Sequence, residues 1–195
     1  MKILLLLPTV ILFSSCDFPG PTPEHEETCP AGYSSVQFRA AIICASNDYY
    51  LVNGIRTPVG LTDALRIAEE RNSVLPTVEM VDAIYAQADI RLSPIPMPPG
   101  PQMTSVEYYE EHDRLIDDLL PLEINGLLIA GHKKDLIRID PNSSRVAIYG
   151  WHRGANNPIQ PYSTVHGREY YDYSHGLRLI YRYGFIDGIR VNLNE

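Results

Sequence analysis

The chain has 195 residues, 45% of them hydrophobic and 21% charged, with 16 Pro, 13 Tyr and 3 Cys. That apolar fraction excludes a disordered or collagen-like chain, and the length suits one domain with a proper core rather than two. A formal charge of −8 argues against nucleic acid as a partner, because no basic stripe is available to displace counterions from phosphates.

Met1-Lys2 leads into an apolar run from Ile3 to Phe13, then Ser14-Ser15-Cys16. One positive charge, a short apolar core and small residues before a break predict a signal peptide over residues 1–15. The run falls short of the roughly 20 apolar residues that span a bilayer. Ser14-Ser15-Cys16 resembles the lipobox of bacterial lipoproteins. The resemblance implies a lipidated Cys16 and a chain anchored to the membrane of a bacterial cell envelope. Phe13 stands where that family usually has Leu, so ordinary cleavage and simple secretion are the alternative. Residues 16–28 are Pro-rich, acidic and almost free of aliphatics, and read as a flexible tether in which His25 is solvated. Residues 29–195 then form a single domain.

If Cys16 carries lipid, Cys29 and Cys44 remain, and an even number outside the cytoplasm points to a disulfide. The rival reading makes Cys44 a nucleophile, but Ile42-Ile43 beside it would raise rather than lower the thiol pKa.

Within the domain, Val36 to Ile43 reads as a strand, and Tyr49 to Val52 as a second turned by Asn53-Gly54. Thr62 is expected to cap a helix running to about Arg71, and Thr77 another with Val81, Ile84, Tyr85 and Ala88 as its buried stripe. Residues 94–101 hold five prolines and predict an extended surface connection. Ser105 to about Leu120 is a third helix, with Tyr109, His112, Ile116 and Leu119 on one face. Strand segments follow at Leu127–Ala130, Leu136–Ile139 and Arg145–Trp151, with a turn at residues 140–144. Gly176 to Tyr183 and Ile189 to Leu193 are expected as two closing strands around Asp187-Gly188. Helices mainly in the first half, with antiparallel strands and long loops in the second, predict an α+β domain.

Five of the six histidines fall between residues 112 and 175. Around them stand Lys133, Lys134, Trp151, Gln160, Tyr162, Tyr170, Tyr171, Asp172, Tyr173 and Ser174. Imidazole, carboxylate, phenol and ammonium groups on loops are the inventory of an acid/base or ligand site. The runs Gly131–Asp135, Tyr149–His152, Pro158–Pro161, His166 and Tyr171–Gly176 resemble a pattern in exported bacterial proteins of no established activity. Leu75-Pro76-Thr77 and Met80-Val81-Asp82 belong to the same resemblance, which implies only that these positions act together.

Three chemistries compete. Zinc could be held by three of His132, His152, His166, Asp172 and His175, although no His-Glu-x-x-His or Cys cluster supports it and no cofactor is favoured. A Ser174 nucleophile would need His152 or His166 as its base, and the Gly-x-Ser-x-Gly elbow is absent. An extended Tyr171–His175 would place Asp172 and Ser174 on the side opposite His175. The favoured arrangement is metal-free: His166 or His175 as acid/base, Asp172 orienting the imidazole, and Lys133 or Lys134 stabilising developing negative charge. His132 and His152 complete the candidate catalytic set, and Lys133, Trp151 and Tyr173 are the expected substrate contacts. The function expected is an exported hydrolase of cell-wall or other extracellular polymer, peptidoglycan first. The alternative is a surface lipoprotein that binds glycan or protein without catalysis, using its aromatic residues.

Overall fold

The computed structural model describes residues 28–194. The signal peptide, Cys16 and its lipidation, His25 and nearly all of the tether lie outside the described residues.

β1 (Tyr33–Phe38) and β2 (Ala41–Ser46) form a tight hairpin where the sequence reads as one strand. The turn is Arg39-Ala40, with Arg39 at φ 56°. No Asn-Gly or other glycine pair announces it, so the continuous apolar run hides the break. The short hairpin β3 (Leu51–Val52) and β4 (Ile55–Arg56) turns at Asn53 and Gly54 as expected, both at positive φ.

α1 (Leu61–Glu70) buries Leu61, Ala64, Ile67 and Ala68. Its N-cap is Gly60 rather than Thr62, whose hydroxyl instead bonds Glu169 and Arg168 across the surface. β5 (Ser73–Val74) follows, then α2 (Val78–Gln87). Thr77 caps α2 by accepting from the Met80 N–H, and Val81, Ile84, Tyr85 and Ala88 are buried as the period demands. β6 (Ile90–Arg91) leads into the proline segment, which is extended up to a 3₁₀ turn at Pro101–Thr104. Ser105 caps α3 (Val106–Asp117) through the Tyr108 N–H. His112 and Ile116 are buried as expected, whereas Leu119 lies past the helix end and is 55% exposed.

In the second half come β7 (Ile129–Ala130), β8 (Lys134–Leu136), β9 (Ile148–His152), β10 (Pro158–Ser163), β11 (His175–Gly176), β12 (Ile180–Tyr181), β13 (Tyr183–Ile186) and β14 (Ile189–Asn192). The class is α+β, helices early and strands late. β2 is the spine of a six-stranded sheet: β1 runs along one edge, while β12 and β13 share the other at Ala45↔Ile180 and Ile42↔Phe185. β13 and β14 turn through Asp187 and Gly188, both at positive φ. A second sheet runs β10-β9-β8-β11, with β11 parallel to β8. Pro158 and Pro161 argue against β10 in the sequence, but at a sheet edge a missing N–H forfeits little.

One core cluster joins α2 to the first sheet through Ile43, Met80, Ile84 and Ile180. Another joins α1 to the second through Leu61, Ile67, Leu136, Ile148 and Leu177. Cys29 and Cys44 are disulfide-bonded, 15 positions apart in sequence and with Cα atoms 5.4 Å apart. Closing a loop of that size contributes about 3 kcal/mol in the chain-entropy picture. Cys44→Ser should therefore lower the denaturant midpoint by an amount equivalent to about 3 kcal/mol. Adding reductant should produce the same loss in the wild type and none in the variant.

Candidate acid/base site

The segment Asp172–Ser174 is a turn, not a strand. The Asp172 carboxylate bends the chain by taking both the backbone N–H and the hydroxyl of Ser174 on Oδ1. The His175 N–H also bonds the Asp172 carbonyl. The turn therefore brings Asp172 and His175 to the same side, with Oδ2 at 3.9 Å from Nε2, and corrects the opposed placement expected of an extended segment. Tyr170 donates its hydroxyl to Oδ2 of Asp172 at 3.2 Å. Its ring stacks on His166, centroids 4.0 Å apart, and stands edge-on to His175. The two imidazoles are 6.3 Å apart.

β11 brings this group against β8, pairing His175 with Lys134. The contact demands a glycine next to His175: a Cβ on Gly176 would lie 2.5 Å from the Tyr49 ring and 2.7 Å from the Lys133 Cβ. The Lys134 ammonium lies 4.9 Å over the Trp151 ring. Trp151 itself has φ 58°, a conformation costing about 1 kcal/mol or more for an aromatic residue.

Burial pushes the Asp172 carboxyl up, but His175, the Ser174 bonds and Lys134 outweigh it and hold the group below its ordinary value. Burial pushes His175 down to about 4, with Lys134 and His166 adding to the effect against Asp172. His175 is thus neutral at pH 7 and wholly buried, and neither ring nitrogen has a hydrogen-bond partner. His166 and Tyr170 are half-buried and form the solvent side of the cluster.

The remaining candidates lie elsewhere. His132 is buried with Nε2 at 3.2 Å from Asp48, inside a charge cluster where Arg56 contacts Asp48, Asp113 and Asp117. Lys133 is fully buried, donating to the Tyr173 carbonyl at 2.7 Å and lying 3.0 Å from His112 Nδ1. Burial pushes Lys133 down to about 7, and burial together with Lys133 pushes His112 down to about 2. His152 forms a third group, its Nε2 3.0 Å from Asp82, which also accepts the Tyr149 hydroxyl, with Tyr85 stacked on the ring. Trp151 and Tyr173 are 6% and 3% exposed. The Trp151 indole N–H is taken by the His132 carbonyl, and the Tyr173 hydroxyl accepts the Met97 N–H of the proline segment.

Of the five catalytic candidates, His166, Asp172 and His175 come together, while His132 and His152 each pair with a different carboxylate. Of the three expected substrate contacts, all are buried, and Lys134 rather than Lys133 reaches the cluster. Arg56, Asp113 and Arg178 are buried and Asp48 is half-buried, ionic residues that the sequence reading passes over because isolated charges look like surface. Among the described residues, no group of three or more His, Cys, Asp or Glu side chains could hold a metal ion. No helix among them is long and apolar enough to cross a membrane. No protein-family model, curated protein or solved structure matches the chain.

The titrations set a pH dependence of stability. Burial holds His112, His132 and His175 below the ordinary histidine value of 6.5, so below that pH the unfolded chain binds more protons and stability is lost as pH falls. Asp135 acts oppositely. Burial raises it from 3.8 to about 6, so between those values the folded chain holds a proton the unfolded one has released. Three imidazoles outweigh one carboxyl, and denaturation curves should show stability falling from pH 6.5 toward pH 4. Asp135→Asn should steepen that fall.

Proposed function

We propose that this protein is an exported hydrolase, anchored by lipid at Cys16, that cleaves a cell-envelope polymer by metal-free acid/base catalysis. Peptidoglycan is the preferred substrate, on the ground of location. The observation that carries the reading is the convergence of His166, Tyr170, Asp172, His175 and Lys134, including a neutral, buried imidazole with both nitrogens unengaged. Buried polar groups are nearly always paired, and unpaired ones mark working sites more often than structural ones.

In this reading His166, on the solvent side, takes a proton from water as its oxygen attacks the carbonyl or anomeric carbon. The same imidazole returns the proton to the departing amine or alkoxide. Lys134, held over Trp151, offsets negative charge developing on the substrate oxygen. Asp172 and His175 act from beneath, Asp172 fixing Tyr170 and through it the stacked His166 ring. The alternative, a non-catalytic glycan or protein binder, has less to use, since Trp151 and Tyr173 are buried and Tyr162 and Tyr171 remain as the exposed rings.

The test is digestion of purified sacculi, and of defined glycan and peptide polymers, with soluble fragments as the readout. His166→Ala and Asp172→Asn should each slow release about 10²-fold or more, and a chelator should leave the wild-type rate unchanged. An absence of fragments from every polymer, or full activity in His166→Ala, would overturn the proposal.

A further inference from the structure

Beside α1 and β5 lies a half-open hollow of about 370 Å³, sharing no residue with the cluster described above. Its walls are Leu65, Ala68, Val74, Leu75 and Ile139, and Arg138 and Arg182 line it as well. Arg138 Nη2 and Arg182 Nε are buried without a partner, so neither guanidinium is fully answered by the protein around it.

The contrast with the other interior arginines is sharp. Arg56 contacts three carboxylates, and Arg178 has Asp135 at 3.6 Å plus two carbonyls. Arg138 donates only to the Leu75 carbonyl at 3.2 Å and the Leu193 carbonyl at 3.0 Å. Among the described residues no carboxylate lies against it, and burial alone depresses its pKa. A guanidinium does not shed its proton in proteins, so this half-buried charge has only carbonyls to answer it.

We propose that this hollow binds an aliphatic carboxylate, with its head between Arg138 and Arg182 and its tail along the Leu65–Ile139 wall. Two guanidinium groups line one hollow, and Arg138 has no carboxylate against it among the described residues, which suits an anionic head. Among the described residues, Glu69, paired with Arg182, is the one acidic side chain lining the hollow. It favours a singly charged head over a doubly charged phosphate. The volume is near the lower end for small-molecule sites, which suits a chain of medium length.

Calorimetric titration of the purified protein with acetate, hexanoate, octanoate and decanoate tests this. Each added methylene should tighten Kd about fourfold until the wall is covered. Decan-1-ol should bind at least tenfold more weakly than decanoate, and decylamine not measurably. Arg138→Gln should weaken decanoate binding at least tenfold. Since Arg138 also ties two carbonyls, Leu65→Glu provides a second variant: it puts a negative charge in the apolar wall and should weaken decanoate binding at least tenfold, measured at a temperature where the variant is folded. Equal affinity for decan-1-ol and decanoate would reduce the site to an apolar trap. Equal affinity for acetate and decanoate would remove the tail's role. Either result overturns the proposal, as would no decanoate binding at millimolar concentration.

Discussion

β8 and β11 lie side by side in parallel, close enough that Gly176 has no room for a Cβ between Tyr49 and Lys133. Lys133, Lys134 and Asp135 come from one of these segments and its approach, and Asp172, Ser174 and His175 from the turn into the other. Ordinary parallel pairs are buried on both faces and read as apolar runs. Here both segments are polar. The pairing therefore carries charge into the interior, and the surrounding structure answers that charge group by group.

The answers differ in completeness. Arg56 is surrounded by carboxylates, and Asp135 takes the Tyr49 hydroxyl while Arg178 sits over the Tyr49 ring. Lys133 has a carbonyl and an imidazole but no carboxylate contact, and its pKa falls accordingly. His175 has no hydrogen-bond partner on either ring nitrogen. Desolvation sets an increasing penalty along this series, because each step exchanges a charged partner for a weaker one. Sites of chemistry belong at the incomplete end, where a proton or ligand still has something to gain.

Local signals were legible where one residue decides the geometry. Thr77 and Ser105 mark helix starts through their own side chains, and Asn53-Gly54 and Asp187-Gly188 mark turns through their tolerance of positive φ. Cys29 and Cys44 pair as parity suggests. What escaped depends on contacts distant in sequence. Arg39 adopts a turn conformation that its type does not advertise, and β10 keeps its prolines because it lies at an edge. The histidines, close together in sequence, are divided because His132 and His152 face Asp48 and Asp82, residues from the first half of the chain. Asp172 was expected opposite His175 because an extended backbone was assumed. Its own carboxylate, capping Ser174, produces the turn instead.

The bond from Cys29 to Cys44 also has a mechanical meaning. Among the described residues β1 is an edge strand with β2 as its one strand partner, so tension entering the domain at Thr28 would otherwise peel that ladder one residue pair at a time. The crosslink bypasses that weak seam and delivers the pull to β2, which is gripped by neighbours on both sides. Opening the domain from this end then requires shearing several strands at once.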